Sequence, residues 1–200
     1  MKPKRLLVLA VCLIVGYGVY ALLYSNGVFK QEEKYTPYTY KGIAFTLPES
    51  WIKNDSVSDH FAYGDKDSKK DKDGWMEYIE IVKSTYDQNK YLPANKQIQG
   101  VLEYFKAAKN VSNFKKTHIK VDNKERIAFT ATTNDKLTYE GKKEKNADKF
   151  SDKVKRTTLL IPHKDDLYCI IISYSDSVKD EEKAKEHKDK IIKSMSFSWE

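Results

Sequence analysis

The residues whose types and spacing come nearest to a chemical site lie in a loop rich in lysine and aspartate. If Gly74 is the sixth position of a calcium-binding loop, Asp71 and Asp73 are the third and fifth and Glu80 is the twelfth. Carboxylate oxygens at those positions are ligands that Ca²⁺ prefers. Lys69, however, occupies the first position, where a carboxylate is required, and a strand-like pattern follows Gly74. We therefore expect a solvated hairpin loop and no resident metal ion.

The four histidines form no local zinc signature. His60, His118, His163 and His187 are widely separated, and the sequence has neither HExxH nor a histidine pair at positions i and i+4. The patterns around them place His118 on the polar face of a strand, His163 in a turn and His187 on a charged helix. We expect scattered surface histidines without a metal or catalytic role.

No catalytic motif is present elsewhere. The sequence lacks GxSxG, a P-loop and GxGxxG. Cys169 lies in the apolar run Leu-Tyr-Cys-Ile-Ile-Ile, so we predict a buried, unreactive thiol. The abundant tyrosines fit strand propensity, and an exposed one offers a surface for a glycan or a protein. The sequence thus predicts no catalytic residue and no cofactor, and it leaves the binding residues unknown.

The elements that would position these residues follow from periodicity and turn signals. Alternating apolar residues predict strands, and Lys41-Gly42 and Asp122-Asn123 predict hairpin turns. Apolar residues at 98, 101, 102 and 105 predict a helix with one buried stripe. Ser177 and Asp180 form a capping box for a last helix that ends near Lys193. The predicted strands cover residues 43–47, 60–63, 75–84, 115–121, 124–133, 154–162, 167–174 and 195–199. This order predicts an α+β fold, an antiparallel β-sheet with helices packed against it.

An uncharged apolar run at residues 6–24 precedes that fold. As a helix it would be about 28 Å long, close to the hydrocarbon thickness of a bilayer. Lys2, Lys4 and Arg5 before it predict that residues 1–5 are cytoplasmic and that everything after residue 24 is outside. The run is longer than the apolar region of a typical signal peptide, so we read it as a retained transmembrane signal anchor. Secretion after signal-peptide cleavage is the alternative.

The rest of the chain divides into a stalk at residues 25–37 and one extracytoplasmic domain at residues 38–200. The formal charge of the chain is +7, and three of those positive charges precede the anchor. The remaining charge is small and is spread over interleaved lysines and acidic residues, which argues against a nucleic-acid partner. The exported part holds a single cysteine and is rich in Lys, Asn and Tyr, a composition that suggests a Gram-positive bacterium.

Three segments resemble the PsbP-like family, the domain of the extrinsic photosystem II protein P, whose fold is shared by a Ran-binding nuclear import factor. The segment Tyr-Lys-Gly-Ile-Ala-Phe-Thr-Leu-Pro-Glu-Ser-Trp at residues 40–51 is similar to the start of the family. Residues 166–170 resemble its penultimate core strand, and residues 191–197 resemble its helix-to-strand finish. The resemblance covers residues 38 to 199 and implies a bacterial, membrane-anchored member of the family.

Family members of this kind are mostly non-enzymatic binding or assembly modules. Together with the anchor and the lack of a catalytic motif, the resemblance predicts a non-catalytic extracytoplasmic module that recognises a protein or a cell-envelope partner and touches the membrane through its N-terminal helix. A structural accessory subunit of a membrane protein complex is the second hypothesis. A hydrolase with dispersed active-site residues is the third.

Overall fold

A computed structural model of the chain describes residues 33–53, 61–65, 69–70, 74–75, 77–84, 93–133, 153–176, 178 and 180–199. The predicted anchor at 6–24, the start of the stalk and the polar segment at 134–152 lie outside the described residues. Within the described ranges, no helix is both long enough and apolar enough to span a bilayer.

The described residues form twelve strands and two helices. In chain order they are β1 Tyr35–Tyr40, β2 Ile43–Pro48, β3 Trp51–Lys53, β4 Phe61–Asp65, β5 Lys69–Lys70, β6 Gly74–Trp75, β7 Glu77–Lys83, α1 Ala94–Ala107, β8 Val111–Val121, β9 Lys124–Thr133, β10 Val154–His163, β11 Asp166–Ser175, α2 Glu181–Ser194 and β12 Ser196–Phe197. Strand β1 begins at Tyr35, three residues before the domain start predicted at 38.

The described strands form three antiparallel sheets. The largest has seven strands in the order β3-β4-β7-β11-β10-β9-β8. A three-stranded sheet has the order β1-β2-β12, and β5 pairs with β6. The α+β class and the antiparallel pairing predicted from the sequence are confirmed, whereas the strands are divided among more than one sheet.

The middle of the seven-stranded sheet is buried on both faces, which is why residues 159–161 of β10 and 167–172 of β11 are continuous apolar runs. One face packs under α2 and the three-stranded sheet. Its buried residues include Phe45, Ile79, Ile81, Leu159, Ile161, Ile170, Ile172 and Ile191. The other face packs under α1. Its buried residues include Ile98, Val101, Leu102, Phe129, Leu160, Leu167 and Cys169. The sheet is therefore the middle layer between two separate apolar clusters.

Two predicted hairpin turns are confirmed. Lys41 and Gly42 both have positive φ angles, +47° and +80°, and so do Asp122 and Asn123, at +50° and +60°. Positive φ at both central residues is the geometry that matches the twist of paired strands. Gly42 is required for a second reason, because a β-carbon there would overlap the indole ring of Trp199.

Two local predictions need correction. Helix α2 begins at Glu181 with Asp180 as its N-cap, because the Asp180 carboxylate accepts a hydrogen bond from the Lys183 N–H at 2.9 Å. The predicted capping box had placed Asp180 three residues after the cap; its other member, Ser177, lies outside the described residues. Strand β8 begins at Val111 and not at 115, since it continues through a register shift between Ser112 and Lys115.

Candidate binding groove

An open groove of about 410 Å³ lies between α1 and β8. Leu102 of α1 and Phe114 of β8 give it an apolar floor, and polar and charged side chains form its rim. Six residues line it: Gln99, Leu102, Glu103, Lys106, Phe114 and Lys116. An apolar floor with a few polar groups at the rim is the usual composition of a binding site.

Helix α1 forms one wall of the groove, because the buried stripe of the helix and one of its polar flanks meet at Leu102. Gln99, Glu103 and Lys106 recur at intervals of four and three residues, so they share one flank of the helix. Gln99 donates a hydrogen bond through Nε2 to Glu103 Oε1 at 2.8 Å. On the opposite flank, Gln97 donates through Nε2 to the carbonyl oxygen of Asp165 at 2.8 Å, which fixes the helix to the β10–β11 turn.

Strand β8 forms the other wall and is also the edge of the seven-stranded sheet. Among the described strands it pairs with β9 alone. Its ladder is continuous from Lys115, opposite Thr130, to Val121, opposite Lys124. An edge strand presents a row of backbone N–H and C=O groups with no strand partner on its outer side. The groove therefore opens beside backbone groups that can accept another strand.

The charge of this region is predominantly positive. Lys106 and Lys116 stand on the groove rim, and Lys115 and Lys120 are exposed on β8. None of these four lysines makes an ion pair within the described part of the chain. Glu103 is the acidic residue of the rim. An acidic ligand would thus meet lysines that are not already neutralised.

The lysines near the start of α2 differ, because acidic neighbours already pair with them. Lys155 contacts Glu181 at 2.6 Å, and Lys185 contacts Glu182 at 2.8 Å and Glu181 at 3.3 Å. The hydrogen bond from Lys155, followed by that from Lys185, lowers the pKa of Glu181. Hydrogen bonds to Glu182 and then Glu181 raise the pKa of Lys185. This network leaves little unpaired charge for a partner.

A buried pair, Glu77 and His187, lies on the other side of the sheet. His187 Nδ1 is 2.5 Å from Glu77 Oε1, and the two residues are 2% and 4% exposed. The imidazole also makes edge contacts with the rings of Tyr35 and Trp51, at centroid distances of 6.4 and 6.1 Å. Because the pair is enclosed, a substrate cannot reach it in this conformation. Its role is to join α2 to β7.

The structure places the other sequence-predicted residues apart from one another. His118 is exposed on β8, and His163 packs against Trp199 at a centroid distance of 4.5 Å. His187 is buried, so the expected surface position for it is wrong; His60 lies outside the described residues. Cys169 is buried as predicted, and desolvation raises the pKa of its thiol to about 12.

The partial calcium-loop match, and the expectation that it holds no metal ion, stay untested. Glu80 lies in β7, opposite Ile171 of β11, whereas Asp71 and Asp73 lie outside the described residues. Within the residues that the structure does describe, no three His, Cys, Asp or Glu side chains are grouped so that they would hold a metal ion. None of the residues that line the groove was predicted from the sequence to bind a ligand, and Leu102 was predicted only as part of the buried stripe of its helix.

Comparisons with known proteins give matches at the level of the fold. No family model matches the sequence, and no curated protein matches it. Among solved structures, the Ran-binding protein Mog1p of Saccharomyces cerevisiae is similar at 11% identity with a TM-score of 0.49, over 84% of this chain and 97% of that one. Cyanobacterial PsbP from Synechocystis is similar at 11% identity and a TM-score of 0.44, over 84% and 94%.

LpqN of Mycobacterium tuberculosis, described as involved in cell envelope biogenesis, is similar at 12% identity and a TM-score of 0.47, over 84% of this chain and 93% of that one. A Bacteroides thetaiotaomicron protein matches at 6% identity and a TM-score of 0.44, and this chain spans about half of it, 49%. A PsbP and a Ran-binding protein are the two kinds of protein that the sequence resemblance named. The likeness is one of fold.

Proposed function

We propose that this chain is a non-catalytic binding module, tethered to the outer face of a membrane, that recognises a protein partner of the cell envelope. The groove between α1 and β8 is the observation that carries the proposal. It combines the apolar floor of Leu102 and Phe114 with the unpaired charges of Lys106 and Lys116. Apolar contact surface supplies affinity, and charged groups around it supply selectivity and speed of association.

The membrane tether rests on the sequence of residues 6–24 and on the basic residues before it. A stalk of about a dozen residues spans only a few tens of ångströms even when it is fully extended. A domain held in this way meets partners in a thin layer next to the bilayer. A neighbouring membrane protein or wall-associated protein is therefore the expected partner.

Photo-crosslinking in native membranes tests the binding module. A photoreactive amino acid at Gln99, on the groove rim, should give one discrete crosslinked species with an envelope protein. The same amino acid at Lys53, an exposed position on the opposite edge strand β3, is the matched control. The Gln99 adduct should disappear when Lys116→Glu is added. Equal labelling from both positions, or an adduct that survives Lys116→Glu, contradicts the assignment of the groove.

The tether has its own test. A reporter enzyme that works only outside the cytoplasm, fused after Trp199, should be active and should sediment with membranes. Activity of a cytoplasm-only reporter overturns the orientation, and release of the chain into the medium indicates signal-peptide cleavage. Replacement of residues 6–24 by an unrelated membrane helix should preserve function. Loss of function in that variant favours an accessory subunit whose helix makes specific contacts.

A further inference from the structure

The groove and the sheet edge are one continuous surface, and this geometry specifies the conformation of the ligand. Phe114 and Lys116 line the groove and belong to β8 itself. A chain laid along the outer side of β8 would therefore run past the mouth of the groove. Side chains alternate between the two faces of a strand, so every second side chain of that chain would point toward α1.

We propose that the partner supplies an extended acidic segment that adds to the sheet as a further strand beside β8. This inference rests on the proposed function and names the chemistry of its ligand. Backbone hydrogen bonds to β8 supply part of the affinity, as in other cases where a peptide extends a sheet. Apolar side chains of the segment enter over Leu102 and Phe114, and its carboxylates meet Lys106 and Lys116.

Charge selects an acidic segment over a basic or neutral one. Lys106 and Lys116 line the groove, Lys120 follows on the same face of β8, and none of the three has an ion-pair partner among the described residues. A basic segment would be repelled by these side chains, whereas an acidic one gains up to three close opposite charges. The attraction acts across exposed surface, so it should weaken as ionic strength rises.

The same lysines also have a protective explanation. Lysines and bulges on an edge strand discourage unwanted strand pairing, and β8 carries both, with Asn113 in the left-handed region at φ +53°. The bulge, however, is confined to the segment before Lys115. Seven residues from Lys115 to Val121 remain in regular register, which is enough for a short strand. The lysines that repel a basic strand attract an acidic strand.

The test uses the full chain in mild detergent and fluorescent twelve-residue peptides. One peptide repeats Val-Ser-Glu-Ser, which places Val and Glu in turn along one face of the strand, and its control has Lys in place of Glu. Two further versions of the acidic peptide carry N-methyl groups on all Ser nitrogens or on all Val and Glu nitrogens. Each version blocks hydrogen bonding along one edge of the peptide and leaves its charge unchanged. Fluorescence anisotropy at low and physiological salt measures binding.

Strand addition predicts that the acidic peptide binds and the basic one does not. One N-methylated version should bind at least ten times more weakly than the parent, and the other should bind about as well. The double variant Lys106→Glu/Lys116→Glu should lose at least tenfold in affinity, and Lys53→Glu on the opposite edge strand should keep it. Amide hydrogen exchange in residues 115–121 should slow when the acidic peptide is bound.

Equal binding of both N-methylated versions would overturn strand addition, because charge alone would then explain the affinity. Failure of the acidic peptide to bind at millimolar concentration would overturn it as well. Neither result affects the binding module itself, which the Gln99 crosslink tests separately. A crosslink without peptide binding would keep the groove as the binding site and reject an extended acidic ligand.

Discussion

The buried pair of Glu77 and His187 yields a stringent prediction about the stability of the fold. Replacing either residue by Leu leaves the other polar group buried without this partner. The single variants Glu77→Leu and His187→Leu should each lose about 3–5 kcal/mol of unfolding free energy, the order of the cost of removing one partner from a buried, closely hydrogen-bonded pair. The two residues are at most 4% exposed, so water cannot replace the lost contact without a rearrangement.

The double variant Glu77→Leu/His187→Leu should behave differently. Both polar groups are then gone, and two apolar side chains of similar size occupy a site beside Trp51. Replacing a buried polar pair by apolar residues is often neutral, so we expect a free energy of unfolding within about 1 kcal/mol of the parent. The coupling energy of the cycle is then at least about 5 kcal/mol. Glu77→Gln, which keeps an oxygen acceptor, should cost less than Glu77→Leu.

Urea unfolding of the full chain at pH 7, followed by tryptophan fluorescence, measures the four free energies. The ring of Trp51 is 6.1 Å from that of His187, so its emission also reports whether the site is locally intact. Residues in contact are expected to show strong non-additivity. If the losses of the two single variants simply add in the double variant, the pair contributes no coupling. The role assigned to it in joining α2 to β7 would then be wrong.

Three further predictions concern single positions. Gly42→Ala should lose roughly 1–3 kcal/mol in the same unfolding assay, because φ is +80° and the added carbon would displace Trp199; an unchanged midpoint would show that the ring moves freely. Asp180→Ala should lose about 1 kcal/mol by removing the N-cap of α2, and Asp180→Ser should recover most of it. In a Cys12→Ser chain, folded Cys169 should react with a thiol reagent at pH 8 about a thousandfold more slowly than in urea, because burial raises its pKa from 9.0 to about 12. Equal rates of thiol labelling in the folded and unfolded states would contradict the burial. The folded state also holds the thiol proton to higher pH than the unfolded state, so the stability linked to this group is complete below pH 9 and declines as pH rises toward 12.

Local signals in the sequence were sufficient for most of the elements. The dipeptides Lys41-Gly42 and Asp122-Asn123 mark their turns because short turns impose positive φ on specific residue types. The stripe at 98, 101, 102 and 105 marks the buried side of α1. Strand β8 was predicted too short, because the bulge near Asn113 interrupts the two-residue period that identifies a strand.

The burial of His187 was missed although a signal was present. Ala184, His187 and Ile191 are spaced by three and four residues, so His187 belongs to the apolar stripe of α2. Its charged sequence neighbours concealed this position. The partner Glu77 is 110 residues away in the chain, and no local pattern connects the two.

The groove depends on non-local information of the same kind. Its floor pairs Leu102 with Phe114, and it opens to solvent because β8 is the edge of the sheet. Strand order is set by which strands pair across the whole sheet. Periodicity along one strand indicates which face is apolar, but not whether the strand is central or at the edge.

The three-stranded sheet has a consequence for folding kinetics. In it β2, which forms the first hairpin of the fold with β1, also pairs with the last strand, β12, through Ser196 opposite Ala44 and Phe197 opposite Ile43. The Thr46 N–H also donates to Ser194 Oγ at 2.9 Å across 148 residues of sequence. Contacts of such long range form late and slow the search for the native state. During synthesis the β1–β2 hairpin lacks its partner until β12 has been made, and its apolar side stays uncovered until then. In that interval the hairpin can misfold or bind a chaperone.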